Sequence, residues 1–368
     1  MSSAVPKKFS GFAPESQETW EHPKLVQYDP KPLLANDITI KVKACGVCGS
    51  DCHTLSGNWG PYRRPDLVVG HEIVGEVIEV GPDVTEHKLG DIVAIGAQSE
   101  SCLDCNRCKS NNEQYCHKFI TGTYNAPSPR HDNYITQGGY ASHFRVHQHF
   151  AVPVPKNLDY EAAAPLLCGG LTVYSPIVRN LNYDLSDKVV GIIGIGGLGA
   201  MALQISHALG AKKVYAFSRS DKKKDDALKL GADELIATSK KGWSEEHLDE
   251  FDLILNCASS GKDANFNPFL RVLKLEGKFV TVSAPPLSES LSLFPFSLLG
   301  NQATVRGSAI GSIKEAKELL KLYADKGLKP WIERVPISEE GVHEVVTRCY
   351  KSDVRYRFVL TDFDKLFG

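Results

Sequence analysis

The sequence predicts an α/β protein in two parts: a mainly β domain first, then a domain built on a doubly wound parallel sheet. Three observations carry this: period-two alternation of apolar residues up to about Pro165, a regular succession of strands and helices beyond it, and a glycine-rich turn joining the first of those strands to its helix. At 368 residues the chain has room for two cores, and 42% apolar with 23% charged residues supplies them without the bias of a disordered chain.

In the first part, DITIKVKACG and HEIVGEVIEVG alternate as half-buried strands do, between loops rich in Gly, Pro and Asp. From Glu161, EAAAPLLCGGLTVYSPIV reads as helix. Then KVVGIIGIGGLGAMALQISHALGA reads as strand, turn and helix. VYAFSR, ELIA, FDLILNCA and KFVTVSA follow as strands, with KKDDALKLGA as a helix among them. After about Arg306 come a helix, IKEAKELLKLYADKG, and a strand, RYRFVL. This tail is too short for a domain and is expected to pack back on the first part.

A net charge of -2 gives no pull toward nucleic acid or an anionic membrane. The N-terminus lacks a signal-like apolar stretch, and no uninterrupted apolar run reaches membrane-spanning length. The expectation is a cytoplasmic protein whose partners are small molecules. Ten cysteines are many for such a chain, and eight lie between Cys45 and Cys168. Clustered thiols in a reducing compartment bind metal more often than they pair. Cys257 and Cys349 stand alone in apolar segments and read as core residues.

Gly194-Ile195-Gly196-Gly197-Leu198-Gly199 fits G-x-G-x-x-G between an apolar strand and an apolar helix. Gly194 permits the tight turn, Gly196 lets backbone approach a pyrophosphate, and Gly199 lets the helix pack close to the strand. The next strand ends in Ser218, Arg219 and Ser220, followed by Asp221 and three lysines that include Lys223 and Lys224. A carboxylate at the strand end would hold a ribose 2′-OH; arginine with hydroxyls suits a 2′-phosphate, which points to NADP(H). The alternative is a solvated basic loop with Asp221 reaching back to the ribose.

Cys102, Cys105, Cys108 and Cys116 place four thiols in one loop, enough to close a tetrahedral shell around a structural zinc. Disulfides are the alternative, but thiols three residues apart are poorly placed to pair. Cys48, His71 and Cys168 could supply two thiolates and an imidazole, although spacing alone does not select them from ten cysteines and 12 histidines. His143, His147 and His149 also cluster, but in SHFRVHQHFAV they read as a half-exposed strand.

Taken in order, Gly46-Val47-Cys48-Gly49-Ser50-Asp51-Cys52-His53, Gly70-His71-Glu72, the four-cysteine loop, the Pro165–Tyr174 segment, the glycine turn and Val354-Arg355-Tyr356-Arg357-Phe358 resemble the cinnamyl alcohol dehydrogenase branch of the zinc-dependent medium-chain alcohol dehydrogenases, fungal NADP-dependent members above all. The resemblance runs nearly end to end. It implies a GroES-like, mainly β catalytic domain at residues 1–164 and 307–368 and a Rossmann NADP-binding domain at 165–306. It implies two zinc ions, one structural and one catalytic, the latter on Cys48, His71 and Cys168 with Glu72 beside it. Asp51 would orient His71, Ser50 would touch the substrate oxygen, and His53 would end the proton relay. Thr172, Ser308 and Arg355 would lie near the cofactor. The implied reaction is hydride transfer between NADPH and an aldehyde whose oxygen the metal polarises.

An apolar cleft between the domains is expected, with Trp59, Tyr62 and Phe119 as candidate walls and Arg63 and Arg64 as candidates for its mouth. Each also reads as an ordinary core or surface residue. Ala309 stands where plant members often carry a bulky aromatic, so substrate size is left open between cinnamaldehyde, aliphatic aldehydes and furfurals. A zinc-independent quinone reductase would lack the ligands, a polyol dehydrogenase would carry an acid after the second strand, and a non-enzymatic scaffold would tolerate loss of Ser50 or His53. The family also suggests a homodimer, with SLSLFPFSLLGNQATVRG as the candidate edge.

Overall fold

The computed structural model describes residues 5–258, 265–287 and 293–368. The chain divides into two units, one comprising the chain through Cys168 together with Ser312–Gly368, the other Gly169–Gly311.

In the first unit the long strand Asp37–Val47 pairs antiparallel with Glu72–Val80 on one side and, along different stretches, with His143–His147 and Arg357–Thr361 on the other. The C-terminal tail thus adds Arg357–Thr361, and through it Ile332–Pro336, to the sheet of the first unit. Ile38, Ile40, Val42, Ile73 and Phe358 from these strands are almost completely buried in one core. The strand expected over SHFRVHQHFAV ends at His147, and Gln148–Phe150 turns into a 3-10 helix. His143 is buried rather than half exposed, its ring stacked on Phe9.

Among the described residues the second unit holds six parallel strands. Across the sheet they run Glu234–Ala237, Lys213–Ser218, Val189–Ile193, Phe251–Asn256, Leu273–Thr281 and Thr304–Gly307. In chain order this is 3-2-1-4-5-6, the doubly wound arrangement, and its direction reverses between Val189–Ile193 and Phe251–Asn256. Ligands of such sheets bind beyond the carboxyl ends of the strands at that reversal.

One element departs from expectation. Instead of a single helix over EAAAPLLCGGLTVYSPIV, the chain forms a helix at Tyr160–Ala163, a 3-10 turn at Ala164–Leu167 and a helix at Gly169–Asn180. The helical path breaks at Cys168, whose backbone leaves the α region at φ -124°, ψ -72°. Pro165 cannot donate to a helical ladder, and two glycines after Cys168 weaken it further. Among the described residues no single helix is long and apolar enough to cross a membrane.

Candidate active site and metal centres

Two neighbouring antiparallel strands deliver the first donors to one place. Asp37–Val47 runs out into Cys48, while Glu72–Val80 starts just after His71, and Gly46 lies opposite Glu72. Cys48 then caps the helix Gly49–Leu55, with the Asp51 carboxylate accepting from the Cys48 amide at 2.9 Å. The same carboxylate accepts from Tyr140 Oη at 3.0 Å and the Gly70 amide at 3.3 Å, and lies 3.0 Å from His71 Nδ1. Asp51 therefore fixes the imidazole and leaves Nε2 facing the thiols, 3.1 Å from Cys168 Sγ. Cys168 arrives from the broken helical segment, its sulfur 4.0 Å from that of Cys48.

Donor atoms of Cys48, His71, Glu72 and Cys168, all buried, lie within 4.8 Å of one another. The site is arranged for positive charge. The Cys48 thiol is held well below its usual range, first by its bond with Cys168 and, against burial, by His71 and Arg357. Burial alone would lower His71, yet Asp51 and Cys48 push it up to about 10. Glu72 pairs with the Arg357 guanidinium through one oxygen, and its other oxygen is buried without a hydrogen-bond partner. A side chain at Gly46 would overlap that second oxygen, so Gly46 makes the room Glu72 occupies.

The four-cysteine loop closes on itself. Its sulfur separations are 3.7 Å for Cys102–Cys108, 3.5 Å for Cys105–Cys108, 3.9 Å for Cys105–Cys116 and 3.4 Å for Cys102–Cys116. Four thiolates at about 2.3 Å from a tetrahedral zinc stand about 3.8 Å apart, so the set fits the ion. Backbone amides of Asp104 and Cys105 point at Cys102 Sγ, as they would at a thiolate. For Cys116, backbone donors outweigh burial and bring the thiol down to about 6.

Ser50 Oγ lies 3.5 Å from Cys48 Sγ. One turn on, His53 stacks on Trp59 with centroids 5.1 Å apart, and its Nδ1 meets the Asn58 amide at 3.1 Å. Tyr62 donates to the Leu55 carbonyl at 2.6 Å, and Phe119 lies under the Arg130 guanidinium. Arg64 is paired with Asp66, and Arg63 is exposed.

In the second unit Gly194 adopts φ +86°, and a side chain at Gly199 would overlap the Gly194 carbonyl oxygen. A Cβ on Gly196 would meet nothing within 4 Å, so the backbone ahead of the helix Gly197–Ala208 is open to a phosphate. Lys223 donates to the Ile195 carbonyl at 2.6 Å, which brings its ammonium to this turn. Ser218 ends the second strand, with Arg219, Ser220 and Lys224 exposed after it. Thr172 is buried in the helix Gly169–Asn180, and the Ser308 amide donates to Thr281.

Residues 34–156 match the alcohol dehydrogenase GroES-like domain and residues 197–325 the zinc-binding dehydrogenase family. The chain is 51% identical to the NADP-dependent alcohol dehydrogenase 6 of Saccharomyces cerevisiae over 99% of both chains. It belongs to the zinc-dependent medium-chain alcohol dehydrogenases. Its fold agrees: a cinnamyl alcohol dehydrogenase from Sorghum bicolor superposes with a TM-score of 0.89 at 34% identity, over 96% of this chain and 98% of that one. A CAD from Helicobacter pylori solved with NADP(H) gives 0.86 at 30%, over 97% and 99%.

Several residues of this dehydrogenase's site escaped sequence reasoning. Tyr140 supports Asp51, the Tyr124 ring packs 5.6 Å from the His71 ring, and Asn58 holds His53. Arg357 is the buried arginine beside Glu72, while Arg355 is exposed and lies over Trp331. A charge inside the apolar run RFVL was the available signal for Arg357. In the second unit, Asn256, Thr281 and Ser283 bond to one another at the carboxyl ends of two strands, where a cofactor of this fold sits.

Proposed function

We propose that the chain reversibly transfers hydride between NADPH and aromatic, cinnamyl-type, or aliphatic aldehydes. The observation that carries this reading is the convergence of Cys48, His71 and Cys168 in front of Asp51. The NADP dependence in the yeast relative's name and the absence of a carboxylate at the end of the second strand support the cofactor choice.

Bound zinc supplies Lewis acidity at the substrate oxygen, and bound NADPH supplies the hydride. Cys48, His71 and Cys168 are the protein ligands, a three-donor set that leaves a position for substrate, with Glu72 as the carboxylate beside them. Ser50 passes a proton to or from the substrate oxygen. A serine hydroxyl is too weak an acid to be the source at neutral pH, so it is a conduit, and His53, held by Asn58 and Trp59, carries the proton onward to solvent. Cys102, Cys105, Cys108 and Cys116 hold the second, structural zinc. Gly194, Gly196, Gly197, Leu198 and Gly199 take the pyrophosphate, and Ser218, Arg219, Ser220, Lys223 and Lys224 the 2′-phosphate. Thr172, Ser308 and Arg355 belong to the rest of the cofactor site.

The unit containing both cysteine sets is the catalytic domain, and Gly169–Gly311 is the cofactor domain. Ten free thiols support residence in a reducing cytoplasm. The edge strand Thr304–Gly307 and its apolar neighbours support a homodimer.

The test combines metal analysis with rates on cinnamaldehyde, aliphatic aldehydes and furfural, using both reduced cofactors. Two zinc ions per chain are expected, with kcat/KM at least about tenfold higher for NADPH, the value of one charge-assisted hydrogen bond. Equal efficiency with NADH removes the NADP assignment. Full activity after zinc removal removes the whole reading.

A further inference from the structure

Cys349 does not stand alone. The helix Gly49–Leu55 packs against the helix Glu339–Tyr350, and Cys52 Sγ donates to the Val346 carbonyl at 3.4 Å. Three residues along an α-helix return to the same face, so Cys349 sits one turn beyond that carbonyl, on the side of its helix that meets Cys52. Cys52 is sealed at 1% exposure, whereas Cys349 is partly open to solvent. Neither belongs to the two metal donor sets.

We propose that Cys52 and Cys349 are a reversible oxidation site, forming a disulfide that staples the helix bearing Ser50, Asp51 and His53 to the Glu339–Tyr350 helix. The oxidant is a hydroperoxide such as hydrogen peroxide. The Cys349 sulfur, as thiolate, attacks one peroxide oxygen. The O–O bond breaks, and the departing hydroxide takes up the thiol proton as water, leaving a sulfenic acid. The Cys52 sulfur then attacks the sulfenic sulfur, the S–O bond breaks, and the hydroxide leaves with the Cys52 proton as a second water. The two thiols lose two electrons and two protons, and the peroxide gains them. The Cys349 neighbour and burial push the Cys52 thiol well above its usual range, so Cys349, the more open of the two, is the sulfur that meets the peroxide first. The two helices are packed together, and a disulfide between them needs a Cα separation of about 4.4–6.8 Å.

The test uses the zinc-loaded chain. It is titrated with hydrogen peroxide, its remaining thiols are alkylated, and the unreduced digest is mapped by mass spectrometry while zinc release is followed. The expected result is a Cys52–Cys349 linked peptide, lighter by two hydrogens than the two thiol peptides together. It forms before zinc is lost and disappears with dithiothreitol. Cys349→Ser and Cys349→Ala should keep their zinc and their turnover in the reduced state while losing the linked peptide. If both thiols are recovered alkylated at peroxide doses that already strip zinc, the proposal is overturned.

Discussion

Under the proposed function Asp51 acts on the catalytic metal indirectly, by orienting His71. Its carboxylate accepts from the Cys48 amide, the Gly70 amide and Tyr140, and orients His71. Asp51→Asn keeps the size and cancels the charge behind the imidazole. Affinity for the first-unit catalytic zinc should fall about 10–100-fold, read by competition with a chelator, while the four-cysteine zinc stays bound. An unchanged affinity would reduce Asp51 to a helix cap. Ser50→Ala is a contrasting case: zinc binding should hold, while kcat falls about 100-fold or more as the proton path is cut. Normal turnover in that variant would take Ser50 out of the chemistry. At this scale the sequence was legible only in part. The four-cysteine loop declares itself because its donors are local, but Cys48 and Cys168 lie 120 positions apart, and only the resemblance singled them out. Tyr140 and Tyr124 left no trace, because an aromatic in a loop reads as core whether or not its hydroxyl meets Asp51.

The elements were more legible than their joints. The glycine turn and the strands around it lie where alternation places them, since a strand buried on both faces is a continuous apolar run. The break at Cys168 was missed because apolar helical patterning continues across it. The helix Glu339–Tyr350 was also passed over, although Val342, Val345, Val346 and Cys349 recur at helical spacing behind the Ser338 cap. Between elements lies a buried polar knot that composition cannot reveal. It joins Asp37, at the start of the long strand, to His131, Glu100 and Lys31. Burial would lower His131, but Asp37 and Glu100 raise it above 6.5. Burial would raise Glu100, but His131 and Lys31 bring it from 4.5 down to about 2. The His131 contribution is therefore full below pH 6.5 and fades as pH climbs through its raised value. The Glu100 contribution is full above 4.5 and fades toward pH 2. His131→Gln should thus lower the thermal midpoint most between about pH 4.5 and 6.5, with the gap to wild type narrowing in alkali. A gap that widened with rising pH would show His131 to be buried neutral.

For the whole molecule, the decisive surface is the free edge of the parallel sheet. Among the described residues Thr304–Gly307 pairs on one side only, and an open edge is a template for another strand. Just before it, Phe294, Phe296 and Leu299 are 57%, 71% and 69% exposed, too much clustered apolar surface to leave in water without a use. The segment SLSLFPFSLLGNQATVRG therefore offers the edge and the apolar shoulder that the proposed homodimer needs, although its residues 290–292 lie outside the described ones. A two-fold partner laying its own edge alongside would bury both at once, because such an interface is self-complementary. The two phenylalanines and the leucine would then supply the dry centre on which binding energy concentrates. Sedimentation at micromolar concentration should give twice the chain mass of 40.3 kDa. Phe296→Asp with Leu299→Asp, which charges the shoulder without touching the glycine turn or either cysteine set, should shift the protein to the single-chain mass and keep both zinc ions. A wild-type protein that sediments as one chain at that concentration, or a double variant that still pairs, would place the interface elsewhere and leave this apolar shoulder without its partner.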